Sequence, residues 1–113
     1  MVYDTAKKLA GELRESEEYR AYTLAKERAM ESGTTRTLIE EYSRLQIRAQ
    51  AAVITGERDS ELVTKLQKVG ELLQFDKDAS AYLMEEFRLK RMLGDVYKIL
   101  AEAVDIDLGP LEA

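Results

Sequence analysis

The sequence predicts an all-α fold: about five helices, a long antiparallel pair among them, packed as a bundle with short loops. Three observations carry this. Apolar residues recur at helical spacing along nearly the whole chain. No stretch shows the strict apolar–polar alternation of a half-buried strand. The single proline is Pro110, so nothing upstream carries that helix-breaking penalty.

The first helix is expected over about Val2 to Glu15, with Asp4 as its N-cap. Ala6, Leu9, Ala10 and Leu13 fall at i, i+3, i+4 and i+7, on one face. Ser16 opens a second helix, because Glu17 and Glu18 follow it in a first turn where the helix dipole favours acids. Tyr19, Tyr22, Ala25 and Ala29 carry its apolar face to about Glu31.

Ser32-Gly33-Thr34-Thr35 is the clearest break, combining capping side chains with a flexible glycine. A long helix follows, from about Thr34 to Ile54. Its Leu38, Tyr42, Leu45, Ala49 and Ala52 are spaced 4, 3, 4, 3, a coiled-coil-like rhythm. Thr55 to Ser60 is the second break, with Gly56 past the helix end and Asp59 or Ser60 as the next cap. Leu62, Leu66, Val69 and Leu73 continue the 4, 3, 4 rhythm to about Phe75.

Asp76 is the expected N-cap of the last and longest helix, about Lys77 to Val104. Leu89, Leu93, Val96, Leu100 and Ala103 form a sustained stripe there, and Phe87, Met92 and Ile99 widen it. A stripe that broad predicts burial against more than one neighbour. Gly94 inside this helix costs about 1 kcal/mol relative to alanine, which a close helix crossing would offset. The whole chain, 1–113, reads as a single domain, with 105–113 an irregular tail. Short loops predict antiparallel neighbours. A weak internal echo places aromatics beside paired acids around Tyr19, Tyr42 and Tyr82, which amphipathic helices also produce by chance.

Composition narrows the function. The 17 basic and 22 acidic residues leave a net charge of −5, with Glu102, Asp105, Asp107 and Glu112 together near the end. Without those four acids the charge is −1, so the body is nearly balanced. A mildly acidic chain is a poor general nucleic-acid binder, since phosphate contacts need clustered Lys and Arg. There is no Cys, hence no disulfide, thiolate metal site or Cys nucleophile. There is no His, the commonest acid–base group and metal ligand. Glu17-Glu18, Glu40-Glu41 and Glu85-Glu86 read as solvated faces, because adjacent helical residues point about 100° apart and no His completes a di-metal motif. No glycine-rich phosphate loop appears. No catalytic residue, cofactor or metal is therefore expected, and the chain is expected not to be an enzyme. With no apolar run of signal-peptide or membrane-spanning length, a cytoplasmic location is the expectation.

Two surfaces stand out. Within Leu45 to Ile54, apolar residues fall on more than one face and small alanines allow close backbone approach. Tyr42, Leu45, Ala49, Ala52 and Val53 are accordingly the candidate self-association seam, although a helix buried on two sides would give the same pattern. Arg88, Lys90 and Arg91 form the densest basic patch. They are the candidate surface for an acidic partner or RNA, weighed against plain pairing with Glu85, Glu86 and Asp95 at helical spacing. The six tyrosines lie mostly on or near apolar stripes, as core or boundary residues, with an oligomer seam as the second reading.

Taken in order, several segments resemble the YlbF/YmcA family of small helical bacterial regulators, which includes the YheA-like proteins. They are Val2-Tyr3-Asp4 with Ala6 and Leu9, Ser16-Glu17-Glu18-Tyr19 with Tyr22, and Leu38-Ile39-Glu40-Glu41-Tyr42 with Leu45-Gln46. Thr55-Gly56, Tyr82-Leu83-Met84-Glu85, Leu93-Gly94-Asp95-Val96 and Glu102 to Leu108 complete the match. The resemblance implies about five helices, frequent self-association and no enzyme activity. It implies adaptor work, through protein partners, in control of biofilm formation, competence and sporulation, linked to RNA processing by RNase Y. Some members carry cysteines tied to iron–sulfur clusters; this chain has none, so cluster binding does not carry over. Gly33 and Lys77 stand where relatives often have proline. The alternatives are a self-associating structural module and a weak RNA-associated factor.

Overall fold

The computed structural model describes residues 1–106. It contains five helices and, among the described residues, no strand: α1 (Val2–Arg14), α2 (Glu17–Glu31), α3 (Gly33–Thr55), α4 (Ser60–Phe75) and α5 (Lys77–Val104). The all-α expectation holds, and each predicted helix lies within a residue or two of its place. Of the expected tail, Asp105 forms a turn in the left-handed region, φ 53°, and residues 107–113 lie outside the described residues.

Local chemistry explains the boundaries. The Tyr19 N–H donates to Ser16 Oγ at 3.2 Å, capping α2. The Thr35 N–H donates to Ser32 Oγ at 3.3 Å, capping α3. The far end of α3 closes at Gly56, φ 77°, with the Glu57 N–H reaching back to the Ala52 carbonyl at 3.0 Å. Asp59 caps α4 through the Leu62 N–H at 3.1 Å. One expected cap is displaced. Asp4 lies inside α1, in its first turn, and Met1 occupies the cap position. An acid in a first turn is favourable for the same dipole reason that favours it at a cap, so composition alone does not separate the two places.

Packing divides the chain into two compact units, Ala25–Tyr82 and Met1–Leu24 with Leu83–Ala113; the divisions fall within α2 and α5. The unit formed by Ala25–Tyr82 holds the larger core. Here α3 and α4, joined by a four-residue connection, pack against each other as antiparallel neighbours. Ile39, Leu45, Leu62 and Leu73 are buried, and Tyr42, Ala49, Ala52, Leu66 and Val69 are half-buried. The two stripes with the 4, 3, 4 rhythm are thus the faces that lose water. Ala25, Ala29, Ala79 and Tyr82 are also buried in this unit.

The other unit differs in kind. α1 has no buried residue; Leu9 and Leu13 are only half-buried. On its part of α5, Gly94 and Ala101 are buried, neither with a large side chain. The wide α5 stripe is not covered as expected. Leu89, Met92 and Val96 are half-buried, whereas Ile99 is 66% exposed, Leu100 52% and Val104 65%.

Candidate interaction surfaces

Asp76 and Thr35 organise one end of the Ala25–Tyr82 unit. Asp76 Oδ1 accepts the N–H groups of Asp78 and Ala79, both at 3.1 Å, which caps α5. Its Oδ2 accepts the hydroxyl of Thr35, a buried polar residue in the first turn of α3. The Thr35 hydroxyl, then the Ala79 N–H, hold the Asp76 carboxyl below the usual aspartate range, against an opposing push from burial; the Asp78 N–H adds to the lowering. One carboxylate therefore ties the start of α5 to the start of α3. Both Asp76 oxygens are engaged as acceptors. Among the described residues, no group of three or more His, Cys, Asp or Glu could hold a metal ion.

The candidate seam on α3 is not one surface. Leu45 is 1% exposed, inside the core, and Tyr42, Ala49 and Ala52 are half-buried on the same stripe. Val53 is 82% exposed, and the apolar side chains beside it in water are Ile47 and Ile54. Of the two readings left open for this segment, packing within the chain accounts for Leu45. A shallow depression of about 220 Å³ lies where α3 turns into α4, lined by Arg48, Ala51, Ala52, Thr55, Glu57, Asp59 and Leu62.

The basic patch is largely self-neutralised. Arg88 donates to both oxygens of Glu85, at 2.9 and 3.2 Å, and Lys90 donates to Glu86 at 3.2 Å. These are i, i+3 and i, i+4 pairs along α5, the plain pairing expected of a polar helix face. Arg91 is exposed on the same helix.

A second depression escaped sequence reading. It has a volume of about 440 Å³ and is lined by Met1, by Val2, Thr5, Ala6 and Leu9 of α1, and by Leu100 of α5. All but Thr5 are apolar. The stripes themselves were visible in the sequence; that they leave an open apolar groove was not, because it depends on how closely two helices approach.

Residues 2–105 match the family described as control of competence regulator ComK, YlbF/YmcA. The chain belongs to the YlbF/YmcA family. Relatives span nearly the same length. A UPF0342 protein of Symbiobacterium thermophilum is 39% identical, covering 95% of this chain and 96% of its own. One of Desulfitobacterium hafniense is 35% identical, over 97% and 89%. One of Clostridium tetani is 32% identical, over 96% and 94%. The chain is thus similar to UPF0342 proteins within a family described by its control of a competence regulator. The structure shows why Gly33 and Lys77 are positions that would tolerate proline. Both are the first residue of a helix, where an N–H has no helical acceptor. No described helix is long and apolar enough to cross a membrane.

Proposed function

We propose that this YlbF/YmcA-family protein is a non-enzymatic cytoplasmic regulatory adaptor that acts by protein–protein contact and associates with itself. The observation that carries this reading is the run of large apolar side chains left in water along α5, Ile99, Leu100 and Val104 among them, next to the apolar groove with α1. Exposed apolar surface of this kind marks interaction sites. The family's description as control of a competence regulator supports a regulatory role. By the same kinship the adaptor belongs with regulators of biofilm formation, competence and sporulation and with RNase Y-dependent RNA processing.

Co-purification of the full chain from its own bacterium, after brief cross-linking, tests the adaptor reading. It expects a heterologous protein retained in fixed ratio, and altered transcript processing when the gene is deleted. Recovery of this chain alone, with unchanged transcript ends, favours the structural module instead. The RNA-associated alternative has less support, because Arg88 and Lys90 already pair within α5. Direct phosphate binding would show a steep loss of affinity with salt.

A further inference from the structure

The end of α5 directs the chain back toward the apolar groove. The Ile106 N–H donates to the Ala101 carbonyl at 3.1 Å, and the Asp105 N–H to the Glu102 carbonyl at 3.4 Å, with Asp105 at φ 53°. These two bonds around a left-handed residue make the turn that stops a helix and reverses the chain. Aspartate is one of the few residues other than glycine to take up that conformation. Such a turn commonly brings an apolar side chain at the Ile106 position against the Ala101 and Leu100 positions. Leu100 is the α5 wall of the groove. Val104, exposed, stands one turn beyond it on the same side of α5.

The chain then continues through Asp107-Leu108-Gly109-Pro110-Leu111-Glu112-Ala113, which lie outside the described residues. Seven residues span at most about 23–25 Å when extended. The α1 side of the groove, from Val2 to Leu9, is about 10 Å long. A chain that turns back at Ile106 is therefore long enough to lie along all of it. The segment brings two large apolar side chains, Leu108 and Leu111. Pro110 has no N–H, so one backbone donor fewer is left unpaired against an apolar lining. A short tether also holds such a segment at an effective concentration on the order of millimolar. Length, composition and tethering all favour the chain's own segment over a separate molecule.

We propose that residues 107–113 cover the groove between α1 and α5 of the same molecule, with Leu108 and Leu111 as the side chains that fill it. The proposal goes beyond the adaptor reading and does not depend on it. Ile99, about 100° around α5 from Leu100, stays outside the cover. A protein that binds at the groove has first to displace the segment.

Methyl NMR of the purified full-length chain gives the test. Nuclear Overhauser contacts are expected from Leu108 or Leu111 to Val2, Leu9 or Leu100. In an equal mixture of labelled and unlabelled chains, filtered for contacts between copies, they are expected to vanish. Replacing both leucines, Leu108→Ser with Leu111→Ser, is expected to shift the Val2, Leu9 and Leu100 methyl signals while those of Leu62 and Leu73 stay in place. The absence of these contacts from the wild type overturns the proposal, and so do groove signals indifferent to the double substitution. Contacts that persist between copies also overturn it, since the cover then comes from a second molecule. The measurement needs no heterologous protein. A seated segment in a chain that retains nothing from lysate upholds the cover and counts against the adaptor reading alone; an unseated one in a chain that does retain a protein overturns the cover alone.

Discussion

Asp76 carries two duties through two oxygens, and its replacement separates them. Asp76→Ala removes the α5 cap, worth about 1 kcal/mol, and strands the buried Thr35 hydroxyl, worth about 1–3 kcal/mol. A loss of about 2–4 kcal/mol in urea unfolding is expected. Asp76→Asn keeps one acceptor and loses less. Because the folded carboxyl is held below its unfolded value, its contribution is fully present above about pH 5 and disappears as pH falls through the ordinary aspartate value and then the lowered one. Thr35→Val removes the largest cause of the lowering, so the Asp76 carboxyl, followed by NMR titration, moves up toward the ordinary value. Leu45 and Val53 make a second contrast. Leu45→Ala, in the core, is expected to cost about 2–5 kcal/mol, and Val53→Ala under about 0.5 kcal/mol. Equal small effects would show that Leu45 is not enclosed. Sequence reading marked Asp76 as a cap but missed its bond to Thr35, because the two stand 41 residues apart and only the fold joins them.

At the scale of the element, helix starts and stops were the most legible feature, because they are written in local chemistry. Ser16, Ser32, Asp59, Asp76 and Gly56 all act where side-chain type and spacing place them. The same chemistry makes a prediction at Gly33 and Lys77. Each is preceded by extended backbone, Ser32 at φ −94°, ψ 123° and Asp76 at φ −95°, ψ 107°, the conformation that a following proline prefers. A Cβ added at Gly33 meets nothing within 4 Å. Gly33→Pro and Lys77→Pro are each expected to stabilise by about 0.4–1 kcal/mol, chiefly by restricting the unfolded chain. A fall in Tm for either would show that the first-turn backbone differs from that described. Gly56 predicts the opposite sign: with φ 77°, Gly56→Ala costs about 1–2 kcal/mol. What the elements' sequences did not disclose is how much of each apolar stripe is covered. The α3 and α4 stripes have each other, whereas α5 carries an equally regular stripe whose outer part, at Ile99, Leu100 and Val104, stays in water. Periodicity gives the direction of an apolar face and says nothing of how many neighbours meet it.

For the whole molecule, the order of motifs along the sequence points to the YlbF/YmcA family, to which the chain belongs. Since α2 and α5 each run through both compact units, we expect the chain to unfold as one cooperative domain. Coincident transitions by circular dichroism and tyrosine fluorescence would support this, and two separated transitions would contradict it. The central claim is that the protein works through apolar surface on α1 and α5. Amide hydrogen exchange measured across a wide range of protein concentration tests it most directly. The account predicts that protection of α1 and of the Leu89–Val104 part of α5 rises with concentration while that of α3 and α4 does not. Protection of α1 and α5 that is independent of concentration, in a chain that sediments as a monomer, would contradict it.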